Sequence, residues 1–253
     1  MPKISIFLAD LDRESPYSSL PFPSVSKDKN LFLHQKRKSH SQQLLLGILS
    51  SLINIPIKKL ELGQNEHGKP FLITHRLIEF NLSHSENLWV LAINQEGIPL
   101  GIDIETQKPD KNFHKISSRF FSQEENYFLN KLTDPSLLTK AFFKIWTMKE
   151  AYIKCLGKGL SLPLNSFSVI ESFDVNKFEN ENYTIKITNF KNEIILQNLE
   201  LSQFINLKGS IFETPTKPYN ISLAYSSLDS IKKNTLPSNS EKIAFHFEKI
   251  NLI

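Results

Sequence analysis

Three short apolar runs in the middle of the chain constrain its fold more than any other feature of the sequence. They are FNLS (80–83), LWVLAIN (88–94) and IPLGIDIE (98–105), and only HSEN and QEG separate them. Apolar runs of this length, bounded by turn residues, are typical of consecutive antiparallel strands. We therefore predict a β-meander over residues 80–105.

On the N-terminal side of this meander, the apolar spacing predicts a strand followed by a helix. Residues 3–9 alternate as a strand does, and the Pro- and Ser-rich stretch 15–29 is typical of a loop. Leucines at helical spacing predict one helix over about 31–52, with a polar first half and a buried second half. The basic residues of the polar half are Lys36, Arg37 and Lys38. Residues 65–70 have the composition of a turn.

After Glu105 the pattern becomes helical and then returns to strands. Helical spacing covers residues 111–156 in three segments, and Gly157 and Gly159 end the last one. Alternating runs predict strands at 165–170, 183–190, 192–201 and 219–227, and the tail predicts an edge strand or a short helix. Both parts combine helices with antiparallel strands, so we predict an α+β fold. Its N-terminal half would be residues 1–105 and its C-terminal half residues 106–253.

The composition excludes several classes of protein. The only cysteine is Cys155, so neither an intramolecular disulfide nor a cysteine metal cluster can form, and a reducing cytoplasm is the expected location. No apolar run approaches the length of about 18 residues that a membrane-spanning helix needs. The net charge of +4 suits an anionic ligand or an acidic partner, but it is too small to predict binding to nucleic acid.

Two carboxylates end the third strand of the predicted meander. Asp103 and Glu105 lie at alternate positions of GIDIE, so their side chains share one face of the strand. Adjacent carboxylates repel each other unless a cation or a proton relieves them. Mg²⁺ typically binds one or two protein carboxylates together with phosphate oxygens and water. The pair is therefore either part of a Mg²⁺ site or an exposed strand end whose acidic residues are solvated.

A second charged group lies on the last predicted helix. In WTMKEAYIK, Trp146, Glu150 and Lys154 recur every fourth residue and form one stripe on the helix. A surface salt bridge between Glu150 and Lys154 would explain this stripe in isolation. The apolar neighbours predict a mostly buried helix, however, where charges need partners. Convergence of Asp103, Glu105 and Glu150 on one Mg²⁺, with Lys154 reaching a phosphate, would supply those partners.

Further polar groups have ordinary structural explanations when they are taken singly. Ser122 and Glu125 have the spacing of a capping box at a helix start, and we assign them to structure. Ser83 and His84 end a strand where hydroxyl, imidazole and backbone N–H groups can face an anion. Lys69 lies in a stiff turn of sequence GKP. Each of these three residues is either a turn residue or a ligand contact.

Taken together and in this order, the motifs resemble the Sfp-type 4′-phosphopantetheinyl transferases. The matching segments are HGKP (67–70), FNLSHS (80–85), LGIDIE (100–105), FFSQEE (120–125) and WTMKEAYIKCLGKGLSLPLNSFSV (146–169), with looser similarity at LLLG (44–47). Each motif alone occurs by chance, but five in order at the family's spacing are specific. Beyond residue 169 only the strand pattern supports the resemblance.

The resemblance implies two similar halves related by a pseudo-two-fold axis, with coenzyme A in the cleft between them. It implies a monomeric enzyme that transfers phosphopantetheine from coenzyme A to a serine of an apo carrier protein with Mg²⁺ and releases 3′,5′-ADP. The implied metal ligands are Asp103, Glu105 and Glu150, and Glu150 is also the implied base toward the carrier serine. The implied phosphate contacts are Lys154, Ser83, His84 and Lys69.

One position departs from the family pattern. Relatives carry an arginine before the LLG segment that helps to bind the 3′-phosphate of coenzyme A, whereas this chain has Gln42 and Gln43 there. Lys36 or Arg37, about two turns earlier in the helix, would have to supply this contact.

Several alternatives stay open at the level of sequence. His84 is either a phosphate ligand or a general base. A Mg²⁺-dependent nuclease or phosphatase also combines D-x-E with a distant glutamate, although this chain has no dense basic face for nucleic acid. A coenzyme A binder without catalytic activity would keep the same fold. The carrier protein would dock around residues 106–119 through Phe113 and Phe120, unless both phenylalanines belong to the core.

Overall fold

A computed structural model describes residues 4–12, 29–109, 112–170, 184–188, 193–199, 219–226 and 245–247. Ten strands and four α-helices lie in these segments. The strands are β1 (Ile4–Asp10), β2 (Leu62–Gln64), β3 (Pro70–Leu72), β4 (Glu79–Ser85), β5 (Leu88–Asn94), β6 (Leu100–Thr106), β7 (Thr184–Thr188), β8 (Glu193–Leu199), β9 (Tyr219–Ser226) and β10 (Phe245–Phe247). The helices are α1 (Lys29–Ile53), α2 (Phe113–Phe120), α3 (Gln123–Asn130) and α4 (Pro135–Leu156). The predicted α+β class is confirmed.

The strands form two four-stranded sheets and a small hairpin. The first sheet has the order β10-β1-β5-β4, the second has the order β6-β9-β8-β7, and β2 pairs with β3. All of these pairings are antiparallel except that of β10 with β1, so the tail forms the predicted edge strand.

The predicted meander is wrong at its third strand. Strands β4 and β5 form the expected antiparallel pair, but β6 pairs with β9 and lies in the second sheet. The reason is burial, because Ile102 and Ile104 fill the core between the sheets while the other face of β6 meets α4. The change of sheet therefore falls between β5 and β6, before the boundary at residue 105 that the sequence predicts.

The described elements stack in four layers, with helices outside and the two sheets inside. Helix α1 packs its apolar second half on the outer face of the first sheet, around Leu45, Trp89 and Leu91. The inner faces of the two sheets meet in a core of aliphatic side chains. Helices α2–α4 cover the outer face of the second sheet in a core that is rich in aromatic residues. None of the described helices is long and apolar enough to cross a membrane.

Local signals set the helix ends, and the capping box of α3 and the end of α4 at Gly157 confirm the predictions. Ser122 and Glu125 form both hydrogen bonds of the capping box that starts α3. Helix α4 starts at the N-cap Asp134 with a proline in its first turn, and it ends at Gly157, whose φ of 66° is left-handed. The predicted loop at 15–29 lies outside the described residues except for Lys29, which begins α1.

The strand predicted at 165–170 is a second error. The segment forms a 3₁₀ turn over Leu164–Ser166 instead. Its backbone groups bond to buried side chains rather than to a neighbouring strand: Lys149 Nζ donates to the carbonyls of Leu164 and Phe167, and the N–H of Val169 donates to Glu125.

Edge strands of the two sheets, β4 and β6, lie side by side and are joined by side chains. Asn81 Oδ1 accepts a hydrogen bond from the N–H of Ile102 at 2.8 Å, and Ser85 Oγ accepts one from the N–H of Thr106 at 3.0 Å. These bonds satisfy backbone donors that an edge strand leaves open. They also fix the acidic end of β6 against β4.

Candidate functional site

The predicted carboxylates of β6 lie in the crevice between β4, β6 and α4. Asp103 is 3% exposed, and its Oδ1 accepts a hydrogen bond from Ser83 Oγ at 2.8 Å. Its Oδ2 is buried and has no hydrogen-bond partner among the described residues. Glu105 is partly exposed, and its Oε2 accepts a hydrogen bond from Ser85 Oγ at 3.0 Å. The alternation of FNLSHS therefore places two hydroxyls against two carboxylates.

Lys154 brings its ammonium from α4 into the same crevice. Its Nζ lies 2.6 Å from Asp103 Oδ1, 3.1 Å from Ser83 Oγ and 3.4 Å from the carbonyl oxygen of Ile102. Of the stripe predicted on the helix, Trp146 packs against the rings of Phe120 and Phe142, whereas Lys154 faces β6 and pairs across the interface with Asp103. This contact favours a site over the alternative of a solvated salt bridge along one helix.

Close approach of the β6 backbone to α4 depends on Gly101. A Cβ at this position would overlap the carbonyl oxygen of Ala151 and the backbone nitrogen of Cys155. Only glycine permits this distance between the strand and the helix. The contact brings Asp103 within reach of Lys154.

Burial and neighbouring negative charge raise the pKa values of two carboxylates in the crevice, Glu105 and Glu150. Burial raises the pKa of Glu105 above its usual range, and the charge of Asp103 adds to this effect. Burial, Asp103 and Glu105 likewise raise the pKa of Glu150 on α4, while Lys154 opposes them. A cation bound among these groups would relieve their repulsion.

The oxygen ligands of the crevice are of the type that a hard cation prefers, although they do not form a complete coordination shell. In the described part of the chain, no three His, Cys, Asp or Glu side chains converge closely enough to hold a metal as they stand. Mg²⁺ needs only one or two protein carboxylates, because water and phosphate oxygens complete its shell. The unpartnered Asp103 Oδ2 and the mutual repulsion of the carboxylates suit such an ion, and the ammonium of Lys154 lies beside Asp103 in this structure.

His84 points away from the carboxylates, toward α1. A cavity of about 550 Å³ lies there, between the start of α1 and the end of β4. Its lining residues are Asn30, Leu33, His34, Arg37, Lys38, His84 and Glu86. Adjacent side chains of a strand point to opposite faces, so Ser83 and His84 serve two different pockets rather than one cradle.

The two basic residues predicted to replace the missing arginine, Lys36 and Arg37, differ in their position relative to the cavity. Arg37 lines the cavity, but its Nε and Nη2 donate to both carboxylate oxygens of Asp12, at 2.7 and 2.6 Å. Lys38 lines the cavity, whereas Lys36 does not. Gln43 is 1% exposed and Gln42 is exposed, so only Gln42 faces solvent.

The ammonium of Lys69 is directed toward backbone carbonyls. Its Nζ donates to the carbonyl oxygens of Leu100 at 2.9 Å and of Cys155 at 3.4 Å, and Glu79 Oε2 lies 3.9 Å away. A cation at the C-terminal end of a helix also interacts favourably with the helix dipole. Lys69 therefore ties the turn before β3 to the start of β6 and the end of α4, and its contact with a phosphate stays a prediction.

Phe113 belongs to the core and not to a docking surface. It is 4% exposed and stacks on Phe142 at 4.4 Å between ring centroids. Phe120 is partly exposed and meets the edge of Trp146 at 5.8 Å. The suggestion that a carrier protein contacts Phe113 is therefore wrong, because the hydrophobic face of α2 turns that ring inward.

Comparison with known proteins identifies the family to which the chain is similar. A family model described as the 4′-phosphopantetheinyl transferase superfamily matches residues 99–205, which include the carboxylates and Lys154. The 4′-phosphopantetheinyl transferase ffp of Bacillus subtilis is 34% identical over 165 residues, covering 63% of this chain and 71% of that relative. The chain belongs to the 4′-phosphopantetheinyl transferase superfamily.

Two other relatives match this chain over a smaller share of their length. The 4′-phosphopantetheinyl transferase gsp of Aneurinibacillus migulanus is 37% identical over 151 residues, covering 57% of this chain and 61% of that relative. The 4′-phosphopantetheinyl transferase Sfp of Bacillus subtilis strain 168 is 38% identical over 126 residues, covering 50% of this chain and 54% of that relative. The chain thus spans little more than half the length of these two proteins.

Sequence reasoning missed two groups of polar residues, one on the β9 side of the crevice and one on the side of α4 that meets α3. On the β9 side, Ser222 Oγ and Thr147 Oγ1 are hydrogen-bonded at 2.8 Å, and Asn220 lies next to them along the strand. Beneath α4, the ammonium of Lys149 lies 2.8 Å from Glu125 Oε2, and both side chains are fully buried. The pairing of β9 with β6 is non-local, so no local pattern could have revealed Asn220 and Ser222.

Proposed function

We propose that this phosphopantetheinyl transferase moves the 4′-phosphopantetheine group of coenzyme A to a serine of an apo carrier protein, with Mg²⁺, and releases 3′,5′-ADP. The observation that carries the proposal is the cluster of Asp103, Ser83 and Lys154, in which Asp103 Oδ2 has no hydrogen-bond partner within the described part of the chain. Glu105 and Glu150 flank this cluster. The same residues match the family motifs in order.

The reaction needs charge neutralisation and an in-line nucleophile more than it needs covalent help. The carrier serine oxygen would attack the pantetheine-side phosphorus, and the bond from that phosphorus to the bridging oxygen of the pyrophosphate would break. The electron pair leaves with 3′,5′-ADP, and Glu150 takes the proton of the serine hydroxyl. In the metal-free protein, burial and the like charges of Asp103 and Glu105 raise the pKa of Glu150.

Each charged residue of the crevice has a distinct part in this proposal. Asp103, Glu105 and Glu150 would hold Mg²⁺, which when bound neutralises charge on the pyrophosphate oxygens. Ser83 orients Asp103 through the hydrogen bond to its Oδ1. The ammonium of Lys154 already lies in the crevice, where it would contact a phosphate oxygen and stabilise the charge of the leaving group.

The cavity beside α1 would take the adenosine 3′-phosphate. Two histidines, Lys38 and the backbone around His84 offer donors to an anion, and the cavity lies on the far side of β4 from Ser83. Lys38 supplies a cation where Arg37 is already paired with Asp12. This arrangement would compensate for the positive charge that Gln42 and Gln43 lack. Lys38, rather than Lys36, would supply that charge.

We further infer that the chain acts as a monomer whose two halves, related by a pseudo-two-fold axis, complete the cleft for coenzyme A. The four layers, with one helix-covered sheet on each side, support this arrangement. Cys155 is buried and unpaired and is the only cysteine, which suits a reducing compartment, and we propose the cytoplasm.

Intact-mass spectrometry of an apo carrier protein tests the proposal. We expect the carrier to gain the mass of phosphopantetheine when it is incubated with this protein, coenzyme A and Mg²⁺, and to gain nothing with EDTA. The variants Asp103→Asn and Glu150→Gln should fold normally and lose nearly all transfer, while the exposed Glu124→Gln is the matched control. Coenzyme A binding without any transfer to several carrier types would favour a non-catalytic binder.

A further inference from the structure

Asn220 carries a buried amide that the known motifs do not explain. Asn220 lies at the start of β9 and is 5% exposed, and its Nδ2 has no hydrogen-bond partner among the described residues. A buried N–H donor without an acceptor destabilises a folded protein, so such groups are rare and call for a reason.

The strand register places Asn220 directly opposite Glu105. Within the same pair of strands, Ser222 lies opposite Asp103. Residues that face each other across an antiparallel pair project from the same face, with Cβ atoms about 4.5–5.5 Å apart. Ser222 contacts Thr147 of α4, so this face of β9 is the one that α4 covers. The amide of Asn220 is therefore buried between the sheet and α4, beside the carboxylate of Glu105.

Among the described residues, one hydroxyl holds Glu105 from the opposite side. Ser85 on β4 donates to Oε2 of Glu105 at 3.0 Å. As a metal ligand, Glu105 must be ionised and can then only accept hydrogen bonds. Carboxylates that bind metals are in turn held by hydrogen bonds from surrounding residues, which fix their orientation.

We propose that Asn220 is a positioning residue of the metal site, whose Nδ2–H donates to the Glu105 carboxylate when Glu105 binds the ion. Ser85 and Asn220 then hold this carboxylate from the β4 side and the β9 side. The inference rests on the proposed function, because it requires that Glu105 be a metal ligand.

Titration with Mn²⁺, followed by electron paramagnetic resonance, tests the role of Asn220 without relying on turnover. We expect Asn220→Leu, which keeps the volume and removes the donor, to raise the Kd for Mn²⁺ by about 10–100-fold. Asn220→Ser keeps a donor and should recover part of the affinity. Ser226→Ala, at the other end of β9, is the matched control and should bind Mn²⁺ as the wild type does. Thermal unfolding of each variant without metal separates a local effect from misfolding.

Two outcomes would overturn the role of Asn220, and a third would overturn the metal site itself. Wild-type affinity for Mn²⁺ in Asn220→Leu overturns the role of Asn220, and Asn220→Ala decides the matter in the same way if the leucine variant does not fold. Normal Mn²⁺ binding combined with weakened binding of 3′,5′-ADP also overturns it, because the amide would then serve a phosphate. If Asp103→Asn leaves the Mn²⁺ affinity of the protein unchanged, the proposed metal site itself fails, which is a separate result.

Discussion

The ammonium of Lys154 lies 2.6 Å from Asp103 Oδ1, at the point where α4 crosses the second sheet. Asp103 is almost fully buried, and its neighbours Glu105 and Glu150 carry the same charge. Lys154 is thus the cation that the buried carboxylate requires in this structure. If Asp103 binds a metal, the ion and the ammonium compete for the same carboxylate, and this competition has measurable consequences.

Replacement of Lys154 by methionine should make the stability of the protein depend on magnesium. Removing one partner of a buried ion pair costs about 3–5 kcal/mol, and the partial exposure of Lys154 reduces this to about 1–3 kcal/mol. Because Mg²⁺ would supply the missing positive charge, it should raise the Tm of Lys154→Met more than that of the wild type. Transfer should fall by about 10²–10³-fold, since the phosphate loses a donor.

Differential scanning fluorimetry with EDTA and with Mg²⁺ measures this prediction. Lys158→Met, which removes an exposed lysine one turn later, is the control and should show the wild-type response. An equal magnesium shift in Lys154→Met and the wild type would show that the ion does not take the place of the ammonium.

Much of the crevice could be predicted from the sequence because it depends on strand alternation. Asn81, Ser83 and Ser85 share one face of β4, and Asp103 and Glu105 share one face of β6. The period of two residues sets these faces wherever the strand lies. The helical period likewise places Glu150 and Lys154 on one face of α4, as predicted, and this face is turned toward β6.

The features of the fold and the site that the sequence does not predict depend on contacts between distant parts of the chain. The pairing of β6 with β9 follows from the core between the sheets, and QEG alone looks like a hairpin turn. Lys69 is predicted to contact a phosphate, yet its ammonium bonds to carbonyls of β6 and α4 that are distant in sequence. Local patterns specify which face of an element is polar, but they do not specify what that face meets.

Glu150→Gln should stabilise the metal-free protein at neutral pH while it abolishes transfer. Burial and the charges of Asp103 and Glu105 raise the pKa of Glu150 above its ordinary value of 4.5. The folded state then binds the proton more tightly than the unfolded chain, so Glu150 contributes stability below about pH 4.5, and this is lost as the pH rises through its raised pKa. Glutamine stays uncharged at every pH and avoids the loss.

Urea unfolding in EDTA between pH 4 and pH 8 checks the sign of this effect. The difference in unfolding free energy between Glu150→Gln and the wild type should grow with pH. Glu66→Gln, whose side chain is 85% exposed in the wild type, is the control with the wild-type profile. A glutamine variant that loses stability relative to the wild type as the pH rises would contradict the raised pKa.

Removal of one partner from the buried pair of Lys149 and Glu125 should destabilise the helical layer. Its two side chains join α3, α4 and the segment at 164–169, and Glu125 also caps α3 through the N–H of Ser122. Lys149→Met leaves a buried carboxylate unpaired and should cost about 3–5 kcal/mol. Adding Glu125→Gln removes that charge but keeps an acceptor, so the double variant should recover part of the loss.

Denaturant unfolding of the two single variants and the double variant measures this coupling as a double-mutant cycle. Lys115→Met, at an exposed position of α2, controls for the loss of a surface lysine. Additive losses in the double variant would show that the ion pair does not hold the layer together.

Gly101→Ala should impair the site through packing alone, without removing any charged group. The new Cβ would overlap the α4 backbone at Ala151 and Cys155 and would lie 2.8 Å from the carbonyl carbon of Lys154. Backbone cannot rotate away as a side chain can, so β6 must move from α4, and overpacking of this kind costs about 1–3 kcal/mol. The shift separates Asp103 from Lys154 and Glu150, and we expect weaker Mn²⁺ binding together with a loss of transfer.

Gly68→Ala is the matched control for this prediction, because it strains the chain without crowding it. Gly68 has a φ of 83° and no atom within 4 Å of an added Cβ. Alanine there should destabilise the protein by about 1 kcal/mol through backbone strain and leave Mn²⁺ affinity unchanged. Equal stability losses with unequal metal affinities would assign the effect of Gly101 to the distance between β6 and α4. Wild-type metal affinity in Gly101→Ala would mean that the carboxylates find the ion without this close contact.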